Sequence, residues 1–395
     1  MPSNNTPSTK KIDLRRGFPE GLEMFDLLED PRTSNATRHP FGSLIFIALS
    51  SIICGMDTCE DFARFAKARK DWLCKWIELP HGIPCANTFL RLFAAIDPAE
   101  FGECLLAFVK TFSPELKDRL INIDGKTLRG SRKTDESTVQ IVSAWAQYNG
   151  LTLAQQAVDQ KSNEITAVPK LLRLLDLKGA IVTLDAMGAQ RKIAIEIIHQ
   201  GADYLLALKG NQGTLHDDVK AFFEDPGNLE YARQKGGEIE TIEEVDKGHG
   251  RIEKRICTVT NYLDWLPRKI RREWLGLQSI VRVESEATLS NGTTRRDTRY
   301  YLSSLEPGAA RHLECSRGHW GIENSCHWVL DVVFGEDQCR ARSGHAAQNL
   351  STMRRLALNL LKTETVRSKE PIRGKRIYAV LDQAYLEQII GLPQV

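Results

Sequence analysis

The sequence predicts an α/β protein, a mixed β-sheet core with helices on both faces, preceded by a helical region and interrupted by a β-rich insertion. Three observations predict it. Between Leu120 and Asn211 the apolar pattern runs three strands, helix, strand, helix, strand, an order that lays helices over a mixed sheet. From Phe41 to about Phe112 apolar residues recur every three or four positions with little alternation, which is the helical period. After the core, stretches such as RIEKRICTVT, SIVRVESEATL and TRYYLSSL alternate as half-buried strands do.

Taken in order, residues 1–40 are rich in Pro, Asn, Thr and Arg and read as a partly ordered arm. Residues 41–117 read as a helical DNA-binding domain. Within it HGIPCANTFLRLFAAID has a Gly-Pro turn, then Asn87 as a helix cap, then an apolar face of Phe89, Leu90, Phe93 and Ile96, which resembles the turn and second helix of a helix-turn-helix, with an ordinary short helical hairpin as the alternative. The first part of the core spans 118–216. LINIDGKTLRGS is a strand expected to end at Asp124 and turn through Gly125, and VQIVSAWAQYNGLTLAQQAVDQ is a hairpin turning at Asn149-Gly150. A helix is expected from Thr166 to Leu177, a buried strand in AIVTLDA ending near Asp185, a helix in RKIAIEIIHQG closed by Gly201, and a strand in DYLLALKGN. The β-rich insertion covers 217–305, the second part of the core 306–362, and a C-terminal tail 363–395.

Composition sets bounds. With 395 residues, 42% hydrophobic and 26% charged, the chain can bury a sizeable core. The apolar run from Phe41 to Met56 is interrupted by Gly42, Ser43, Ser50 and Ser51 and is shorter than the roughly 20 residues that cross a bilayer. A packed helix is expected, no membrane partner, and, since no apolar signal region adjoins the basic N-terminus, a cytoplasmic location. Nine cysteines without a CxxC pair point to reduced thiols, with Cys54, Cys104 and Cys257 in the core. A net charge of +2 does not by itself imply nucleic acid, and the basic clusters at Arg64 to Lys70, Arg268 to Arg272 and Arg367 to Arg376 are either solvated faces or DNA contacts.

The chemistry is concentrated in RGHWGIENSCHWVLDVVFGED. His319, Glu323, His327 and Asp331 recur every four residues, one polar stripe on a helix, with Trp320, Ile322, Trp328, Val329, Val332 and Val333 as apolar surface. The two tryptophans are expected in the core, with stacking on a displaced base as the alternative. Upstream, Asp124 and Asp185 each stand where a strand is expected to end, a usual place for functional residues in open α/β sheets. Three convergent carboxylates would offer the hard oxygen ligands that Mg²⁺ prefers, and two ions about 3.5 to 4 Å apart can assist an in-line displacement at phosphorus. The competing reading is that each acid is an ordinary surface or capping residue. The histidines read as groups that orient their neighbours. A zinc hydrolase site is disfavoured because they stand eight apart rather than at the four of H-E-x-x-H, and Gly125-Lys126-Thr127 is no P-loop because Leu120 stands where a glycine is required.

The blocks INIDGKTLRGS, TLDAMGAQ, YLLALKGNQ, HGRIEKR, YYLSSL and HWGIENSCHWVLDVVFGEDQCRAR, together with IPCANTFLR, resemble in order those of the H-repeat-associated (ISAs-type) transposases of bacterial insertion sequences, within the DDE transposase superfamily. The resemblance runs from about Asp30 to Leu361. It implies a ribonuclease H-like core and Asp124, Asp185 and Glu323 as the catalytic, metal-binding acids. It also implies Mg²⁺, or Mn²⁺ in its place, as two ions, cleavage of double-stranded DNA at the element's terminal inverted repeats, and transfer of a 3′ hydroxyl into target DNA by a homo-oligomer at the nucleoid. Wider relatives carry a Tyr and an Arg before the glutamate and a Lys after it, where this chain has Ser316, His319 and Leu330. Lys209, Arg251, Arg317, His319, Arg340 and Arg342 are candidates for phosphate contacts. Alternatives of another class are a DNA-binding relic of a transposase and a host-acting nuclease of the same fold.

Overall fold

The structure is a computed structural model that describes residues 22–32, 37–112, 116, 119–132, 138–158, 163–248 and 250–392; most of the expected N-terminal arm lies outside them. Five helices come first: α1 (Phe41–Ile53), α2 (Cys59–Ala68), α3 (Lys70–Trp76), α4 (Ala86–Ala95) and α5 (Pro98–Phe112). Strands β1 (Leu120–Leu128), β2 (Val139–Ala146) and β3 (Leu151–Ala157) follow, then α6 (Glu164–Arg173), β4 (Ile181–Leu184), α7 (Arg191–His199) and β5 (Asp203–Leu208). Helices α8 (Gly213–Glu224) and α9 (Pro226–Gln234) lead into β6 (Ile239–Gly248) and β7 (Arg251–Thr260), then α10 (Arg268–Glu273), β8 (Ser279–Leu289) and β9 (Thr294–Ser303). The chain continues through α11 (Ala309–Ile322), a π-helical turn (Glu323–His327), α12 (Trp328–Val332), α13 (Ala346–Thr363), α14 (Ile372–Leu381) and α15 (Gln383–Ile390).

All nine strands join one mixed sheet in the order β3-β2-β1-β4-β5-β9-β8-β7-β6. β1, β4 and β5 are parallel neighbours, and the remaining pairings are antiparallel. The insertion strands therefore extend the core sheet instead of forming a sheet of their own. Only the last residues of β9, Tyr300 to Ser303, pair with β5, and these are buried, whereas Thr294 to Thr298 at its other end are exposed. A strand that is apolar at one end and polar at the other can join a core and still project from it.

β1 differs from expectation. It does not end at Asp124 but runs on to Leu128, because β2 pairs with it along that whole length, Asp124 opposite Ser143 and Leu128 opposite Val139. Its other neighbour, β4, stops at Leu184 opposite Ile123. Asp124 is thus the first residue of β1 beyond the end of β4, at the lip of a crevice, while its backbone is still held on the β2 side.

The central helices carry the core. Every residue of α1 after Phe41 is buried, as a packed helix requires, and no described helix is long and apolar enough to span a membrane. α13 is buried on nearly all sides, Arg354 and Arg355 included. It is wedged between α4, α1 and α5 on one side and β3 on the other, so the N-terminal helices and the sheet share one core. α4 starts with Cys85, not Asn87, at its cap, and Phe89, Leu92 and Phe93 face α2 and α13. The basic cluster near the C-terminus is structural. Arg376 binds the Ile52 carbonyl and Asp57, Lys375 binds carbonyls at Leu361 and Glu364, and Arg367 lies over the Tyr378 ring. All nine cysteines are free thiols, and Cys54, Cys104 and Cys257 are buried as expected.

Candidate active site

The polar stripe of the Glu323 helix faces β1 and β4 by a match of repeats. Four residues of helix advance about 6 Å, and two residues of strand about 6.6 Å. Side chains four apart on the helix can therefore meet alternate side chains of one strand. Asn122, Asp124 and Lys126 lie on one face of β1. Asn122 donates to the Gly318 carbonyl (2.7 Å), Asp124 meets His327 Nδ1 (3.3 Å), and Lys126 donates to Asp331 (2.6 Å). Gly318 permits the approach, since a Cβ there would collide with the Leu120 side chain.

A regular α-helix would not keep such a stripe straight. Each step of four overshoots a full circle by about 40° at 3.6 residues per turn, so three steps would carry Asp331 well around the axis from His319. The π turn at Glu323–His327 is wider, holds more residues, and turns the drift back. The buried side keeps the same repeat: Ile322, Cys326, Leu330 and Phe334 are all fully buried. Trp320 and Trp328 are not in the core, contrary to expectation. They are 42% and 57% exposed, because they fall between the buried stripe and the polar one.

His319 is held by β4. The Thr183 hydroxyl donates to Asn122 Oδ1 (2.8 Å) and lies 2.9 Å from His319 Nδ1. With its proton committed to Asn122, the hydroxyl accepts from Nδ1–H, and the neutral ring presents a lone pair at Nε2. Burial holds the imidazole below its ordinary range despite the nearby charges of Asp124 and Asp185.

Four carboxylates gather at the crevice. Burial opposes ionisation of Asp124, but the hydrogen bond to His327, the electrostatic influence of the His327 and His319 rings and the Gly125 N–H together bring its carboxyl below the usual range. Asp185 follows the last residue of β4 and accepts from the Gly188 N–H (3.1 Å), which closes the turn. Burial and then the charge of Asp124 push Glu323 upward; His327 and Arg299 oppose this, and Asp185 adds to it. Glu164, the first residue of α6, is raised by burial, by Asp185 and by Asp124. The sequence reading missed Glu164, although its place at the start of the helix between the two aspartate strands was a signal. It also missed Arg299 of β9, whose guanidinium lies 4.6 Å from the centre of the Trp320 ring and pairs with Asp297 (2.7 Å).

The other candidate cations are distributed unevenly. Lys209 is exposed just past the end of β5, on the sheet edge that carries Asp185. Arg317 is engaged by Glu244 (2.6 Å) and Asp246 (2.5 Å), and Arg251 by Glu253 (3.2 Å). Arg342 donates to the Gly130 carbonyl (3.1 Å), and Arg340 lines a cavity of about 340 Å³ beside α2 and α4. None of these four points into the acid crevice by any contact of the described residues.

Among the described residues no three His, Cys, Asp or Glu side chains are already drawn into a coordination sphere. The donor set nonetheless suits a hard divalent cation. It is made of carboxylate oxygens, and burial followed by mutual repulsion raises Glu323 and Glu164.

Comparison with known proteins agrees with this geometry. Residues 115–360 match the family described as Transposase DDE domain, and residues 22–109 match the DDE_Tnp_1-associated domain. The chain belongs to the DDE transposase family. Its core is accordingly ribonuclease H-like, and the family is one of DNA-processing enzymes. The chain is 35% identical to the “Putative transposase YncI” of Escherichia coli O157:H7 over 94% of each chain. It is 34% identical to the “H repeat-associated putative transposase YhhI” of Escherichia coli K12, over 94% of this chain and 97% of the relative. An uncharacterised protein encoded in the dhlA 3′ region of Xanthobacter autotrophicus is 38% identical over 73% of this chain.

Proposed function

We propose that this transposase cuts double-stranded DNA at the ends of its insertion element and joins the freed 3′ hydroxyl to target DNA, with Asp124, Asp185 and Glu323 holding divalent cations. The observation that supports the reading is geometric: Asp124, just beyond the end of β4, shares a cavity with Asp185, and the turn that begins with Glu323 ends with His327, 3.3 Å from Asp124. Mg²⁺ or Mn²⁺ bound there would supply Lewis-acid polarisation of the attacking and leaving oxygens.

The chain's own residues prepare that chemistry. His327 fixes Asp124 in its ionised form, the Asn122–Thr183–His319 chain sets the height of the helix over the sheet, and the π turn aims Glu323 at the crevice. Lys209 at the adjacent sheet edge is placed to meet a phosphate. Two copies of the protein, one on each element end, would align the cut ends for joining.

The test is cleavage of a labelled duplex carrying the element's end, with Mg²⁺ or Mn²⁺, comparing wild type with Glu323→Ala. Metal-dependent cutting that the variant loses, with end binding retained, is the expected result. Specific binding without cutting in the wild type would instead mark a DNA-binding relic.

A further inference from the structure

Gly125, which follows Asp124 on β1, leaves room for a neighbour. A Cβ at this position would collide with the carboxyl group of Glu164. Glu164, Asp124 and Asp185 line a common cavity of about 10 Å³, about the space of one water-sized sphere. Glu323 does not line it. Asp124 is met by His327 of the helix (3.3 Å) and shares this cavity with Glu164 and Asp185.

A glutamate in the first turn of a helix has an ordinary explanation, because its charge complements the positive end of the helix dipole. That accounts for an acid at this position, but not for its direction. A carboxylate serving only the dipole gains nothing from turning over Gly125 toward two other carboxylates, and the described residues offer Glu164 no hydrogen-bond donor or cation in return. A cation bound between these carboxylates would offset the repulsion that this direction incurs.

We propose that Glu164 is a fourth carboxylate of the metal centre, serving the cation held between Asp124 and Asp185. This rests on the metal-dependent reading above. Gly125 is then part of the same device, since its missing side chain is the opening through which Glu164 reaches the crevice.

The test is Mn²⁺ titration of the full chain without DNA, followed by the loss of the free-ion electron paramagnetic resonance signal, with thermal midpoints recorded with and without metal. Glu164→Gln keeps the shape and removes the charge, and Gly125→Ala keeps the charge and blocks the approach. Both should weaken the tightest Mn²⁺ binding by about ten-fold or more, the loss typical of perturbing a metal site's supporting groups. Asp124→Asn should abolish it. Metal-free Glu164→Gln should melt at or above the wild-type midpoint, because a repulsion is gone. Unchanged Mn²⁺ binding in Glu164→Gln, alone or with a lowered midpoint, would make Glu164 a helix-capping acid and overturn the proposal, while loss in Asp124→Asn would leave the three-acid reading standing. A wild type that binds no Mn²⁺ would sink both.

Discussion

Two positions on one face of β1, Asp124 and Lys126, stand two residues apart and open onto opposite kinds of electrostatic environment. Around Lys126 acids and cations are interleaved. Its ammonium contacts Asp331 (2.6 Å) and Asp337 (3.5 Å), and the fully buried Glu336 is met by Arg355 (3.1 Å) and by the Ser351 hydroxyl (2.7 Å). Burial alone would raise Glu336, but Arg355, Arg354 and Lys126 hold it below the ordinary carboxylate value. Around Asp124 the cations are too few. Glu323 and Glu164 are raised by burial first and then by neighbouring carboxylates, with His327 and the half-buried Arg299 opposing the rise at Glu323. The same strand and the same helix build both regions, so the difference is one of design by residue type. Matched charges hold β1, the loop after α12 and α13 together, whereas unmatched ones mark a place where something else must supply the positive charge.

The largest effect should come from breaking the matched region. Lys126→Met leaves Asp331, Asp337 and buried Glu336 short of a cation and should cost about 3–5 kcal/mol, the usual penalty for removing one member of a buried pair. Urea unfolding of the variant measures this, and a cost under about 1 kcal/mol, the range of exposed pairs, would erase the contrast between the two regions.

Next in size is the response to metal. Mn²⁺ at about 100 times its dissociation constant should stabilise the folded wild type by about 2.7 kcal/mol, and Asp124→Asn should lose that gain. Equal stabilisation of both proteins would place the ion outside the crevice.

A third prediction concerns acid. His312 is buried, with its ring nitrogens 2.9 Å from the Gly308 carbonyl and the Ser303 hydroxyl, and burial holds its pKa below the ordinary imidazole value. The unfolded chain therefore takes up a proton at a higher pH than the folded one. Stability is lost as pH falls below about 6.5, by at most about 1.4 kcal/mol per unit for this one group. Glu323 and Glu164, raised in the fold, act with the opposite sign, gaining stability as pH falls through their folded values. Comparing urea midpoints at several pH values for wild type and His312→Gln isolates the histidine, and an unchanged slope in the variant would remove it as the cause.

The smallest effect is expected at Trp328. As a core residue its loss would cost several kcal/mol, but at 57% exposure Trp328→Ser should alter stability by no more than about 0.5 kcal/mol. A loss of about 3 kcal/mol or more, the penalty of a core tryptophan, would show that this side of the helix is buried in the protein as it exists in solution.

Much of the site was legible in the chain because its signals were local. The period-four stripe from His319 to Asp331, the apolar strand ending in Asp185 and the mixed-sheet order all depend on short-range repeats, which fix which side chains share a face. The places where the reading fell short involve pairing partners far away in sequence. β1 passes Asp124 because β2 continues beside it, and the tryptophans are exposed because Ile322, Cys326, Leu330 and Phe334 already fill the core.

By itself the sequence determined the α/β class, the elements that carry Asp124, Asp185 and Glu323, and the family, since each follows from periodicity or from ordered blocks of residues. Only the tertiary structure decided which charges are compensated. Lys126 meets Asp331 and Glu164 meets Gly125 through contacts spanning 205 and 39 positions, and the energy of a charge depends on its distance to other charges in space, which no reading along the chain supplies.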